Sequence, residues 1–214
     1  MIARRKLPAL NCSFKRRIER LKARCPSSPK VVTADIEAAM AFVTIEAQTS
    51  WSNFCRSYYL SCIFQCKPNT SDRVSTDYGR ISENDAIGIA IKTWKPSSVQ
   101  KADGTWHRRD EPPWHDTNVL LTLATNMKAS NLLEIQSALS AGFRVFVDLP
   151  VFRNFYAHRN HRSLEAASKV ASIYGIPSGL RPTQVLLTFA YKRPQVLMQD
   201  WLDDLCFTVE YLCE

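Results

Sequence analysis

Two arginine–histidine pairs stand close together in the run Pro150-Val151-Phe152-Arg153-Asn154-Phe155-Tyr156-Ala157-His158-Arg159-Asn160-His161-Arg162, which is otherwise apolar enough for a core. Arginine is always charged and offers a planar fork of donors that fits phosphate oxygens. Histidine, with a reference pKa of about 6.5, gives or takes a proton near neutrality. These two residue types suffice for one reaction in particular, the cleavage of RNA through its own 2′-OH. The nucleophile is then on the substrate, so a proton-moving group and a cation for the developing phosphorane charge can carry the step. DNA, lacking the 2′-OH, is excluded at the chemical step.

Elements must place these groups. Pro150 suits a first helical position and Asp148 can supply the capping oxygen. The sequence therefore predicts that Arg153 to His158 occupy the first two turns of a helix buried on its Val151/Phe155 side. At about 100° per residue, Arg153 and His158 lie roughly 140° apart around that helix. One copy would flank a groove; a symmetric pair of copies could gather two arginines and two histidines around one cleft. Arg159, His161 and Arg162 are either nucleic-acid contacts or a solvated loop. A metal held by His158 and His161 would lack an obvious third ligand, so no metal and no cofactor are assigned.

Arg153-Asn154-Phe155-Tyr156-Ala157-His158 resembles the R-polar-x3-H motif of the HEPN superfamily (higher eukaryotes and prokaryotes nucleotide-binding domains). The resemblance covers one short helix. It implies a small helical bundle, a homodimer, and a metal-independent endoribonuclease with Arg153 and His158 as the catalytic pair and Asn154 as the polar motif position. It also implies a toxin–antitoxin or phage-defence setting, in which an antitoxin protein would be a partner. Glu46 is a candidate helper that orients Arg153 or His158, and Tyr156 a further candidate support. The alternative is a catalytically inactive helical dimer that binds RNA, a nucleotide or a protein partner.

The chain has 214 residues, 45% of them apolar, enough for a proper core. Its six glycines argue against a turn-rich β fold or a phosphate-cradling glycine loop. No apolar run is long enough to span a membrane. The seven cysteines form no C-x-x-C pair and read as free thiols in a reducing cytoplasm. Net charge is +8, but the first 30 residues carry +9 and the remaining 184 carry −1. Residues 1–32 are therefore expected as a basic arm, disordered or a short helix, ending at Pro26-Ser27-Ser28-Pro29. It would suit loose binding to nucleic acid, or act as a solubilising tail or translated upstream sequence.

Residues 33–214 read as an all-α, HEPN-like bundle of about five to seven helices with two long polar loops, 67–80 and 95–113. The first helix, capped by Thr33, runs to about Cys66 with a bend or an interruption near Ser50. Ser82 with Asp85 resembles a capping box; Asp116, Ser130 and Ser163 can cap three further helices. Thr183 to Tyr191 is helix or irregular. A final helix from Pro194 buries its leucines and leaves Asp200, Asp203 and Asp204 in solvent.

Overall fold

A computed structural model describes residues 6–26, 31–66, 68, 73–79 and 81–214. Among them the chain is all-helical. Nine α-helices follow in order: α1 (Leu7–Lys22), α2 (Ala34–Ile63), α3 (Glu83–Trp94), α4 (Thr117–Asn126), α5 (Leu132–Leu139), α6 (Val145–His158), α7 (His161–Ile173), α8 (Pro182–Leu186) and α9 (Leu197–Cys213). Eight of them, α2 to α9, fall within residues 33–214, one more than the expected five to seven; the addition is α8, and α1 precedes them. The alternation of Val185, Leu187 and Phe189 yields no strand among the described residues, only a single bridge between Phe189 and Val196. No described helix is long and apolar enough to cross a membrane.

The chain folds as two compact units. One comprises the chain up to Phe14, Trp51–Gly142 and Thr208–Glu214; the other comprises Lys15–Ser50 and Phe143–Phe207. Leu7, Leu10, Phe14, Ile18 and Leu21 recur at helical spacing and are buried. Arg4, Arg5, Lys30 and most of the Pro26–Pro29 break lie outside the described residues, as does part of the 67–80 loop.

In the first unit the second half of α2 is the spine. Trp51, Phe54 and Tyr58 fall on one helical face and stack in sequence, their ring centroids 5.7 Å apart at each step, with Phe14 edge-on to Phe54. Tyr59 donates to the Ala86 carbonyl at 2.8 Å, tying α2 to α3. Helix α3 starts with the expected capping box, Asp85 N–H to Ser82 Oγ at 3.1 Å and Ser82 N–H to Asp85 Oδ2 at 3.2 Å. Asp116 caps α4 as expected. Ser130 does not cap α5; its hydroxyl accepts the Ser75 N–H instead, and Asn131 holds the cap position without a side-chain bond. The 95–113 loop is pinned rather than loose. Arg56 Nε donates to Glu111 at 2.8 Å, Trp114 Nε1 donates to the same carboxylate, and Lys95 pairs with Asp110.

Gly88 faces the Trp106 indole so closely that a Cβ there would lie 2.5 Å from Nε1. Gly88→Ala should therefore push the indole off α3, at a cost of about 1–3 kcal/mol for overpacking. A lowered unfolding midpoint together with altered tryptophan emission would register it; an unchanged midpoint would show that the indole moves freely.

In the second unit the first half of α2 begins at Thr33, whose Oγ1 accepts the Ile36 N–H. The helix runs unbroken through Ser50, whose hydroxyl donates back to the Glu46 carbonyl at 2.6 Å. Helix α6 starts five residues before Pro150, which sits inside it. Asp148 is consequently not a cap. It is buried and receives both Arg144 Nε and Nη2 at 3.0 Å, while Tyr174 donates its hydroxyl at 2.8 Å. Trp201 Nε1 donates to that same hydroxyl at 3.0 Å. The buried side of α6 is Leu149, Phe152 and Tyr156, whereas Val151 and Phe155 are only half-buried. Phe152 meets Trp201 edge-on at 5.4 Å, so α6 is fixed to α9 by both ring packing and a polar chain.

Candidate functional site

The candidate site lies at the junction of α6 and α7, inside the second unit. Helix α6 ends on His158. Arg159 then adopts a left-handed conformation (φ 47°, ψ 32°) and donates its N–H to the Phe155 carbonyl at 2.8 Å, which stops the helix. Asn160 turns extended, and its Oδ1 accepts the Ser163 N–H at 2.8 Å, starting α7 at His161. Asn160, not Ser163, is the cap. A left-handed residue followed by an Asn cap folds the chain back in two residues, so the ends of two helices share one corner.

The predicted residues divide into four groups. Asn154 and His158 are four apart, hence on one helical face, and both are exposed. Arg153 is half-buried to one side and reaches Asn154, Nη1 to Oδ1, at 3.4 Å. Around the corner His161 and Arg162 are exposed in the first turn of α7. Arg159 leans toward Glu37, with Nη1 3.9 Å from the carboxylate. Among the described residues His158, His161 and Arg162 have no hydrogen-bond or ion-pair partner. The arrangement is a solvent-facing cluster of donors and proton carriers, and α6 alone does not close it into a pocket.

The two candidate supports lie elsewhere. Glu46 is paired with Arg17 of α1, which occupies its carboxylate without reaching α6. Tyr156 is buried and shares a 2.9 Å hydrogen bond with the Thr183 hydroxyl; burial pushes its phenol pKa up. Its role is to hold α8 against α6. Tyr156→Phe should cost about 1 kcal/mol of stability and leave any activity of the corner intact, which denaturant melts beside an activity assay would register.

Among the described residues no three His, Cys, Asp or Glu side chains converge as metal ligands. All seven cysteines are free thiols, Cys12 exposed and Cys55 and Cys62 among the buried ones. Sequence reasoning left Asp200, Asp203 and Asp204 in solvent, yet Asp200 is buried and the other two are half-buried. Asp200 and Asp204 line a cavity with Tyr174, Tyr191 and Trp201. The available signal was two carboxylates four apart on a strongly apolar helix.

No family model, no curated protein and no solved structure matches the chain.

Proposed function

We propose that this protein is a HEPN-like, metal-independent endoribonuclease whose site is the α6–α7 corner. One observation carries the reading. The Asn154/His158 face of α6 runs, within a two-residue turn, into a helix start bearing His161 and Arg162, neither of which has a hydrogen-bond partner among the described residues. Basic side chains in a first helical turn oppose the helix dipole, at a cost of about 0.3–1 kcal/mol each when charged. An RNA phosphate bound there would reverse that cost, since a helix N-terminus favours anions.

In the reaction the 2′-oxygen attacks the adjacent phosphorus while the 5′-oxygen of the next nucleotide leaves. One imidazole takes the 2′-OH proton and another returns a proton to the departing oxygen. His158 fills these roles, with its twin in a second copy supplying the other. Arg153 neutralises the phosphorane, Asn154 holds the arginine fork, and Arg159, His161 and Arg162 contact flanking phosphates. Because Arg153 and His158 diverge around α6, a homodimer completes the cleft. Products would carry a 2′,3′-cyclic phosphate and a 5′-hydroxyl. The toxin or phage-defence setting and an antitoxin partner follow from the motif resemblance alone, and the cytoplasmic location from reading the cysteines as free thiols.

A second reading is a catalytically inactive helical dimer that binds RNA, a nucleotide or a protein partner. It is favoured by one feature: no described side chain orients the His158 ring. Incubating the purified protein with RNA in excess chelator separates the two. The enzyme cleaves and loses cleavage with Arg153→Ala or His158→Ala, whereas the binder retains and protects intact RNA.

A further inference from the structure

The cavity in the second unit has a volume of about 280 Å³, near the lower end of the range of ligand pockets, roughly 300–1,000 Å³. That suits one base better than a whole nucleotide. Its walls are Tyr174, Trp201 and Tyr191, and its acidic side is formed by Asp200 and Asp204, one turn apart on the same face of α9. Asp200 is buried, with the Gln195 side chain as a hydrogen-bond donor and Arg193 Nε 3.9 Å away. At the mouth Tyr191 is 70% exposed, with Lys192 Nζ 5.0 Å from its ring centroid and Arg193 next in sequence. Gly175 lets Tyr191 sit there: a Cβ at that glycine, itself at φ +64°, would be 3.0 Å from the Tyr191 Cβ.

These features ask for three things at once: a π-face for the tyrosine, an anion for Lys192 and Arg193, and clustered N–H donors for the carboxylates. An organic ammonium ion meets the acids and the rings but is repelled by the two cations. A free phosphate meets only the cations. A nucleotide meets all three, because bases stack on aromatic rings while their phosphates follow basic residues. Among the four bases, guanine alone sets an imino and an amino donor side by side, the complement of a carboxylate's two oxygens. Adenine and cytosine place an acceptor beside their amino group, and uracil flanks its imino group with two carbonyls.

We infer that this cavity is a guanine-binding subsite: the base of a guanosine nucleotide enters edge-first onto Asp204 and Asp200, stacks on Tyr191, and leaves its phosphate against Lys192 and Arg193. The inference takes from the proposed function only that the ligand is RNA, and it assigns a base preference. Burial pushes the Asp204 carboxyl up to about 6, with Arg193 opposing and Asp200 and Asp203 reinforcing the shift. An ionised carboxylate is needed to accept both donors, so affinity should fall as pH drops through about 6.

Calorimetric titration of the full chain with GMP, AMP, CMP, UMP and spermidine at neutral pH tests this. GMP should bind about tenfold or more tighter than the other nucleotides, the margin of a good bidentate contact. Asp204→Asn and Tyr191→Ala should each weaken GMP about tenfold, and the exposed position of Tyr191 keeps the second substitution compatible with folding. Equal affinity for the four nucleotides, preference for spermidine, or unchanged GMP binding in Tyr191→Ala overturns the subsite. A mononucleotide has no internucleotide bond to cut. GMP selectivity without RNA cleavage therefore overturns the nuclease alone, and cleavage without GMP selectivity overturns the subsite alone.

Discussion

Arg153→Ala and His158→Ala should each lower RNA cleavage by at least about 10²-fold, since a positioned acid or base contributes roughly 10²–10⁴-fold and preorganised charge at a phosphorane a comparable factor. Thermal stability should barely change. His158 is exposed and makes no described contact, and Arg153 makes one long hydrogen bond, to its own neighbour Asn154. Substitutions at such positions usually shift stability by less than about 0.5 kcal/mol. Lost cleavage with an unchanged melting profile would identify the corner as chemistry rather than scaffold. Cleavage surviving either substitution would move the active groups elsewhere.

Phe152→Ala, one residue away, should behave in the opposite manner. Phe152 is fully buried and packs edge-on against Trp201. Truncation removes that contact and leaves a cavity beside α9, costing about 3–5 kcal/mol. That is a large share of the roughly 5–15 kcal/mol holding a typical domain together. The nearby chain Arg144–Asp148–Tyr174–Trp201 would remain, but its indole would lose the wall that orients it. Denaturant unfolding should show an earlier midpoint, with cleavage lost in proportion to the unfolded fraction. A normal midpoint would mean that α9 closes over the gap. Adjacent residues 152 and 153 thus separate the positioning of the site from its chemistry.

How far the sequence could be read depended on whether a signal was local. The capping box of Ser82 and Asp85 and the Asp116 cap need only their neighbours, and each is present in the structure. The α6 boundary was misread because Pro150 and Asp148 mimic a helix start. Asp148 is drawn into the core by Arg144 and by the Tyr174 hydroxyl, 26 residues on, a partner that no local pattern displays. With the start moved back, the buried side shifts from Val151/Phe155 to Phe152/Tyr156. Beneath the charge of the basic segment lies an apolar stripe from Leu7 to Leu21 whose side chains are buried. At the candidate site the residue types were legible: Asn154 and His158 do share an exposed face. The fates of Glu46, held by Arg17, and Tyr156, held by Thr183, depend on partners distant in sequence.

In the proposed reaction a substrate 2′-OH attacks its own phosphate, aided by Arg153 and His158. Mass analysis of the fragment ends, after the full chain has acted on RNA in excess chelator, tests it most directly. The expected result is 2′,3′-cyclic phosphate and 5′-hydroxyl termini, and no cut at a linkage whose ribose is replaced by 2′-deoxyribose. Fragments ending in 3′-hydroxyl and 5′-phosphate, or cleavage at the deoxy linkage, would contradict it.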